Sequence, residues 1–154
     1  MQHILFSDIH EQKPGTSVEV YFKLETPALT GKRVVVVEDE GITQMQLNRM
    51  LTREGMDVVA TARSGPEGVQ VVREAHPDLV LMDIRMPGGF DGLEAARRIL
   101  AQQSVCIVML TAFSNAEYKE QARQIGACGY VVKPIDRETL LPQLEAALKS
   151  FTPQ

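Results

Sequence analysis

Tryptophan is absent from this 154-residue chain, and cysteine and histidine are scarce, at two and three copies. No pair of them has short metal-ligand spacing, so nothing offers the thiolate and imidazole donors that favour zinc. Cys106 and Cys128 lie inside or beside apolar segments and read as buried reduced thiols rather than a disulfide or a site. His76 precedes Pro77, where a helix has to end, and reads as a loop histidine. Neither it nor His3 or His10 resembles a catalytic or phosphotransfer histidine.

Long apolar runs are also missing. None approaches the roughly 18–20 residues that span a bilayer, and the first residues open no charged-then-apolar signal peptide. A cytoplasmic protein without a membrane contact is expected. Positive charge is not in excess either: 16 Lys and Arg stand against 20 Asp and Glu, a net charge of −4. That balance gives no overall drive toward nucleic acid. The length and a 44% hydrophobic composition suit one globular domain with a short appendage.

What is present is a rhythm. From residue 33 onward short β-branched runs alternate with amphipathic stretches, the pattern of βαβ units and a parallel sheet. Strands are predicted over 33–37, 57–61, 79–82, 105–110 and 130–132. Three of them are nearly continuous apolar runs, as doubly covered parallel strands are. Between them, residues 41–54 place Leu47, Met50 and Leu51 on one helical face. Ser64 with Glu67, and Ser114 with Glu117, have capping-box spacing and mark two further helix starts. Residues 92–101 and 137–150 supply the others, with Pro142 expected to kink the first turns of the last helix. The fold class is therefore α/β, a doubly wound five-stranded parallel sheet with flanking helices.

In such a sheet the ligand site lies beyond the carboxyl ends of the strands. The residues there are Glu38, Asp39 and Glu40, then Asp83, then Thr111, then Lys133. Carboxylates converging from separate strands repel one another unless a cation neutralises them. An oxygen-only set with water and phosphate suits Mg²⁺. Lys133 adds a point charge and Thr111 a neutral donor, the pair a tetrahedral phosphoryl dianion needs. Taken singly, Asp83 reads as a cap, Thr111 as a strand terminator and Lys133 as a salt-bridge partner. Their joint placement on successive strand ends favours a site.

Four segments now carry a resemblance: VVVVEDE at 34–40, LMDIRMP at 81–87, MLTA at 109–112 and GYVVKP at 129–134. In this order they resemble the hallmark segments of response regulator receiver domains, with coverage from about Lys32 to Ser150. The resemblance implies a flavodoxin-like sheet of receiver type and a phosphorelay function. Asp83 would be the nucleophile that takes a phosphoryl group from a histidine kinase or a histidine phosphotransfer protein. Glu38, Asp39, Asp83 and the backbone carbonyl of Arg85 would hold Mg²⁺, and Thr111 and Lys133 would bind the phosphoryl oxygens. The Lys133–Pro134 bond is expected to be cis. Thr111 and Tyr130 would form a switch that remodels the face of the fourth helix, fifth strand and fifth helix, where a downstream protein docks; a homodimer is left open. Arg85 and Phe113, each two residues beyond a site residue, would tune the phosphoryl lifetime. No enzyme activity is implied beyond the domain's own phosphorylation and dephosphorylation.

Two regions depart from the pattern. The loop 86–92 is one residue longer than the commonest receiver form, and Gly88-Gly89 predict flexibility. Residues 1–31 precede the first receiver strand; Pro14 to Phe22 resembles the closing turn and strand of a sensor kinase ATP-binding domain, without its nucleotide-binding boxes. Val18, Val20 and Phe22 alternate with Glu19, Tyr21 and Lys23 as a strand, pairing with residues 2–6 or with another chain; the alternative expectation is a disordered leader. The expected organisation is thus an extension over 1–31, a receiver domain over 32–150 and a tail over 151–154. The tail is too short for an output domain, so output is expected through a protein partner, as a stand-alone regulator or the receiver of a hybrid kinase.

Two other classes compete. A phosphohydrolase with a nucleophilic aspartate normally needs a second acidic group near the nucleophile, where this chain has Arg85. A flavin or nucleotide binder needs a Gly-rich phosphate loop after the first strand, where Glu38, Asp39 and Glu40 would repel phosphate.

Overall fold

The computed structural model describes residues 3–4, 24–25, 28–112 and 116–153. Two short strands, β1 (His3–Ile4) and β2 (Leu24–Glu25), pair antiparallel. Part of the expected 2–6 segment is thus paired, but with residues 24–25. The expected strand over Val18 to Phe22 lies outside the described residues.

The main sheet is built from β3 (Arg33–Val37), β4 (Asp57–Ala62), β5 (Leu79–Asp83), β6 (Cys106–Thr111) and β7 (Gly129–Val132). The strands are all parallel, in the order β4-β3-β5-β6-β7. The three apolar runs read from the sequence are its three central strands, buried almost throughout. The edge strands β4 and β7 are only half-buried. Each predicted strand is present to within a residue at either end.

The helices are α1 (Gly41–Arg53), α2 (Gly65–Ala75), α3 (Gly92–Gln102), α4 (Ala116–Gln124) and α5 (Arg137–Ser150). One core joins the sheet to Leu47 and Leu51 of α1 and Leu140 and Leu144 of α5. The other joins it to Val72 of α2, Ala95, Ala96 and Ile99 of α3, and Ala122 of α4. Alternate strand residues divide between the two: Val34 and Val36 face the first, Val35 and Val37 the second. Leu29 is fully buried in the first core, so the packed unit reaches back beyond Lys32.

Ser64 caps α2, its Oγ accepting from the Glu67 N–H at 3.3 Å. The reciprocal bond differs from a standard capping box: the Glu67 carboxylate accepts from the Arg63 N–H. Asp91 and Asp136 cap α3 and α5 in the same way as Ser64. Ser114 lies outside the described residues. His76 ends α2 in the left-handed region at φ 47°. Among the described residues no helix is long and apolar enough to cross a membrane.

Candidate functional site

Parallel strands all deliver their last residues to one edge, and there the sheet gathers Glu38, Asp39, Asp83, Thr111 and Lys133. Glu38 follows β3 directly and continues the ladder, its N–H donating to Ala62 O at 3.0 Å. It is fully buried. Asp83 is the last residue of β5 and 5% exposed; Thr111 is the last of β6 and 1% exposed. The Lys133 N–H donates to Thr111 O, which seats the lysine beside the threonine. The Lys133–Pro134 peptide is cis.

The charges meet closely. Lys133 Nζ lies 2.8 Å from Glu38 Oε2 and donates to Asp83 Oδ2 at 3.2 Å. One carboxylate oxygen from each of Glu38, Asp39 and Asp83 falls within 4.8 Å of the others. Two of these acids share one ammonium, and the third lies beside them. Burial, with the Glu38 charge adding to it, pushes the Asp83 carboxyl up to about 7, although Lys133 pulls the other way. Burial alone would lower the Lys133 ammonium, but the Glu38 and Asp83 carboxylates outweigh it and raise it. This uncompensated negative charge, in an all-oxygen donor set, fits a hard divalent cation such as Mg²⁺.

Further residues hold the acidic pair in place, and the sequence reading did not find them. Gln44 of α1 donates to both Glu38 O at 3.1 Å and Ala62 O at 3.0 Å. The Arg63 guanidinium donates twice to Asp39 O, at 3.3 and 2.9 Å. Arg63 follows β4, the strand end to which the sequence reading assigned no site residue. Gly92 closes the acceptor loop, its N–H donating to Ile84 O at 2.7 Å. A Cβ at Gly92 would stand 1.8 Å from Asp83 O, so no other residue fits this backbone.

The other expected site residues lie further out. Glu40 is exposed and takes a bond from Thr43. The Arg85 guanidinium donates to the Tyr118 hydroxyl of α4. Tyr130 is half-buried, faces the second core and lines a cleft with Ala116, Lys119 and Glu120 of α4 and Gln143 of α5. Phe113 lies outside the described residues. The loop expected to be flexible is anchored: Phe90 packs against Gly65, and the Arg98 guanidinium sits 3.9 Å above its ring.

The fold and edge define a flavodoxin-like α/β domain with an acidic, lysine-bridged site at the carboxyl ends of its strands. Residues 34–145 match the response regulator receiver domain family, and the chain belongs to that family. It is 40% identical over 127 residues to the transcriptional regulatory protein PdtaR of Mycobacterium tuberculosis, covering 82% of this chain and 62% of that protein. The chain thus spans less than two thirds of that relative. It is 38% identical over 120 residues to the chemotaxis protein CheY of Treponema pallidum, covering 76% of this chain and 83% of that protein. Among solved structures, a LuxR-family response regulator from Aurantimonas superposes with a TM-score of 0.73 at 33% identity, over 78% of this chain and 86% of that one. A CheX-CheY-BeF3-Mg²⁺ complex from Borrelia burgdorferi superposes at 0.71 with 28% identity, over 75% and 87%.

Proposed function

We propose that this chain is a phosphoacceptor switch in which Asp83 receives a phosphoryl group from the phosphohistidine of a sensor kinase or histidine phosphotransfer protein. The observation that carries this is the Glu38, Asp39 and Asp83 cluster bridged by Lys133. Family membership supports the reading, as does the BeF3 and Mg²⁺ in the Borrelia burgdorferi complex.

Glu38, Asp39, Asp83 and the Arg85 carbonyl would hold Mg²⁺. Bound there, it would neutralise the acids and the charge that develops on the phosphoryl oxygens. The work of the chain itself is positioning. Asp83 must be ionised to attack; its oxygen bonds to phosphorus as the phosphorus–nitrogen bond of the donor breaks and the imidazole leaves. Lys133 then exchanges a carboxylate partner for a phosphoryl oxygen, and the Thr111 hydroxyl donates to another. The phosphoryl group of the product carries about −1.5 to −2 charge at the edge of the sheet.

The readout we propose is that Thr111, drawn to the phosphoryl group, vacates space into which Tyr130 turns. The cleft that Tyr130 shares with α4 and α5 would change shape, and a downstream protein would read the α4-β7-α5 face. Tyr130→Ala retaining full phosphorylation-dependent binding would count against this.

The test is intact-mass measurement of the full chain with acetyl phosphate and Mg²⁺, beside Asp83→Asn. Wild type should gain one alkali-labile phosphoryl group, only with Mg²⁺, and the variant none. Equal labelling of both would move the acceptor elsewhere.

A further inference from the structure

At the opposite edge of the sheet, the β6–β7 pairing joins two residues that sequence spacing kept apart. Cys106 is the first residue of β6, and Cys128 immediately precedes β7. The Cys128 N–H donates to Ile107 O at 2.8 Å, so the ladder is already formed beside Cys106. The two thiols are close enough to shift each other's acidity. Both cysteines are free.

Their surroundings differ. Cys106 is fully buried in the first core, whereas Cys128 is half-exposed and opens onto a cleft of about 570 Å³. Leu100, Gln103, Val105, Ile125 and Phe151 are among its walls, and among the described residues no charged side chain lines it. Gly126, Ala127 and Gly129 flank Cys128 and offer no long side chain of their own. A small neutral reagent can therefore reach Cys128, while Cys106 waits behind it.

We propose that Cys128 and Cys106 form a peroxide-sensitive thiol pair, Cys128 being oxidised first and Cys106 resolving it to an intramolecular disulfide. The register of β6 and β7 sets Cys128 diagonal to Cys106, one residue on from it; with strands about 4.8 Å apart and a rise of about 3.3 Å per residue, the Cα separation is about 6 Å, within the roughly 4.4–6.8 Å that a disulfide spans. In the first step the Cys128 thiolate attacks a peroxide oxygen. The oxygen–oxygen bond breaks, hydroxide leaves as water after taking a proton, and a sulfenic acid remains. In the second, the Cys106 sulfur attacks the Cys128 sulfur. The sulfur–oxygen bond breaks, and the departing hydroxide takes the Cys106 proton as water. The two thiols lose two electrons in all, and the peroxide gains them.

The donors around Cys128 suit it to go first. The neighbouring Cys106 thiol holds the Cys128 thiol down to about 7 against the opposing effect of burial, while Cys128 and burial push the Cys106 thiol up. This site lies apart from Asp83 and does not depend on the phosphoacceptor reading.

The test is to expose the full chain to hydrogen peroxide, block remaining thiols with N-ethylmaleimide under denaturing conditions, and map peptides by mass. Wild type should yield a Cys106–Cys128 crosslink that dithiothreitol reverses. Cys106→Ala should stop at a dimedone-reactive sulfenic acid on Cys128, and its Cys128 should react with iodoacetamide about three-fold more slowly at neutral pH. In Cys128→Ser, Cys106 should stay reduced. Both wild-type thiols remaining free, or crosslinks forming only between chains, would overturn the proposal, whether or not the variants fold.

Discussion

The Arg85 guanidinium donates to the Tyr118 hydroxyl at 2.9 Å and lies 5.8 Å from the centroid of its ring, tying the loop after the acceptor strand to the first turn of α4. The sequence places Arg85 beside the acceptor; the structure adds that its side chain is engaged elsewhere. Arg85→Ala should open the mouth of the site to water and shorten the phosphoryl half-life about two- to five-fold, followed by loss of label after donor removal. Tyr118→Phe keeps the ring and loses the bond, so its effect should be smaller and in the same direction. A double-mutant cycle in stability should return a coupling of about 0.5–1.5 kcal/mol; additive effects would dissolve the link.

Gly92→Ala should be severe. The added methyl would meet Asp83 O and the Ile84 backbone, neither of which is the end of a flexible side chain. A loss of about 3 kcal/mol in urea unfolding is expected, with acceptor labelling reduced in the remaining folded protein. Wild-type stability in this variant would mean that the loop relaxes freely.

Arg63 grips the main chain of Asp39 rather than its carboxylate. Arg63→Ala should therefore weaken Mg²⁺ binding about ten-fold, at the low end of losses from supporting residues around a metal. Equilibrium titration with Mn²⁺ as a paramagnetic probe would measure it. Arg63→Lys, which keeps charge but loses the two-pronged grip, should recover only part.

Acidity gives a further prediction. The Asp83 carboxyl is raised to about 7 in the fold, by burial first and Glu38 second, against about 3.9 in an unfolded chain. Between these values the folded state holds the proton more tightly. Metal-free stability should therefore fall as pH rises from about 4 to 7, with the loss complete above the folded value. Asp83→Asn lacks that slope. In chelator, its advantage over wild type should be small near pH 5 and grow to about 2 kcal/mol near pH 8, read from denaturant midpoints. Mg²⁺ should shrink it by stabilising the wild-type carboxylate. A pH-independent difference would show that Asp83 carries no such shift.

The strands, the helices and the edge that holds the site were legible because each rests on local information. A valine run such as Val34 to Val37 has nowhere to lie but between two helical layers. Strand ends are fixed once strands are, which puts Glu38, Asp39, Asp83, Thr111 and Lys133 at one edge. The sequence was less informative where one residue type serves many ends. Gly92 reads as a helix start, and nothing local says that a carbonyl from β5 will stand where its Cβ would be. The loop at Gly88-Gly89 reads as flexible, yet Phe90 finds a seat against Gly65 from a different βα unit.

Periodicity and residue chemistry by themselves determined that this chain is a doubly wound α/β domain and which oxygen and nitrogen groups meet at its carboxyl edge. Tertiary structure alone decided what those groups lean on: Arg63 on Asp39, Arg85 on Tyr118, and Cys106 beside Cys128. Each of these contacts joins segments well separated along the chain. Their geometry follows from strand order, register and the seating of helices, none of which a residue carries in its own sequence neighbourhood.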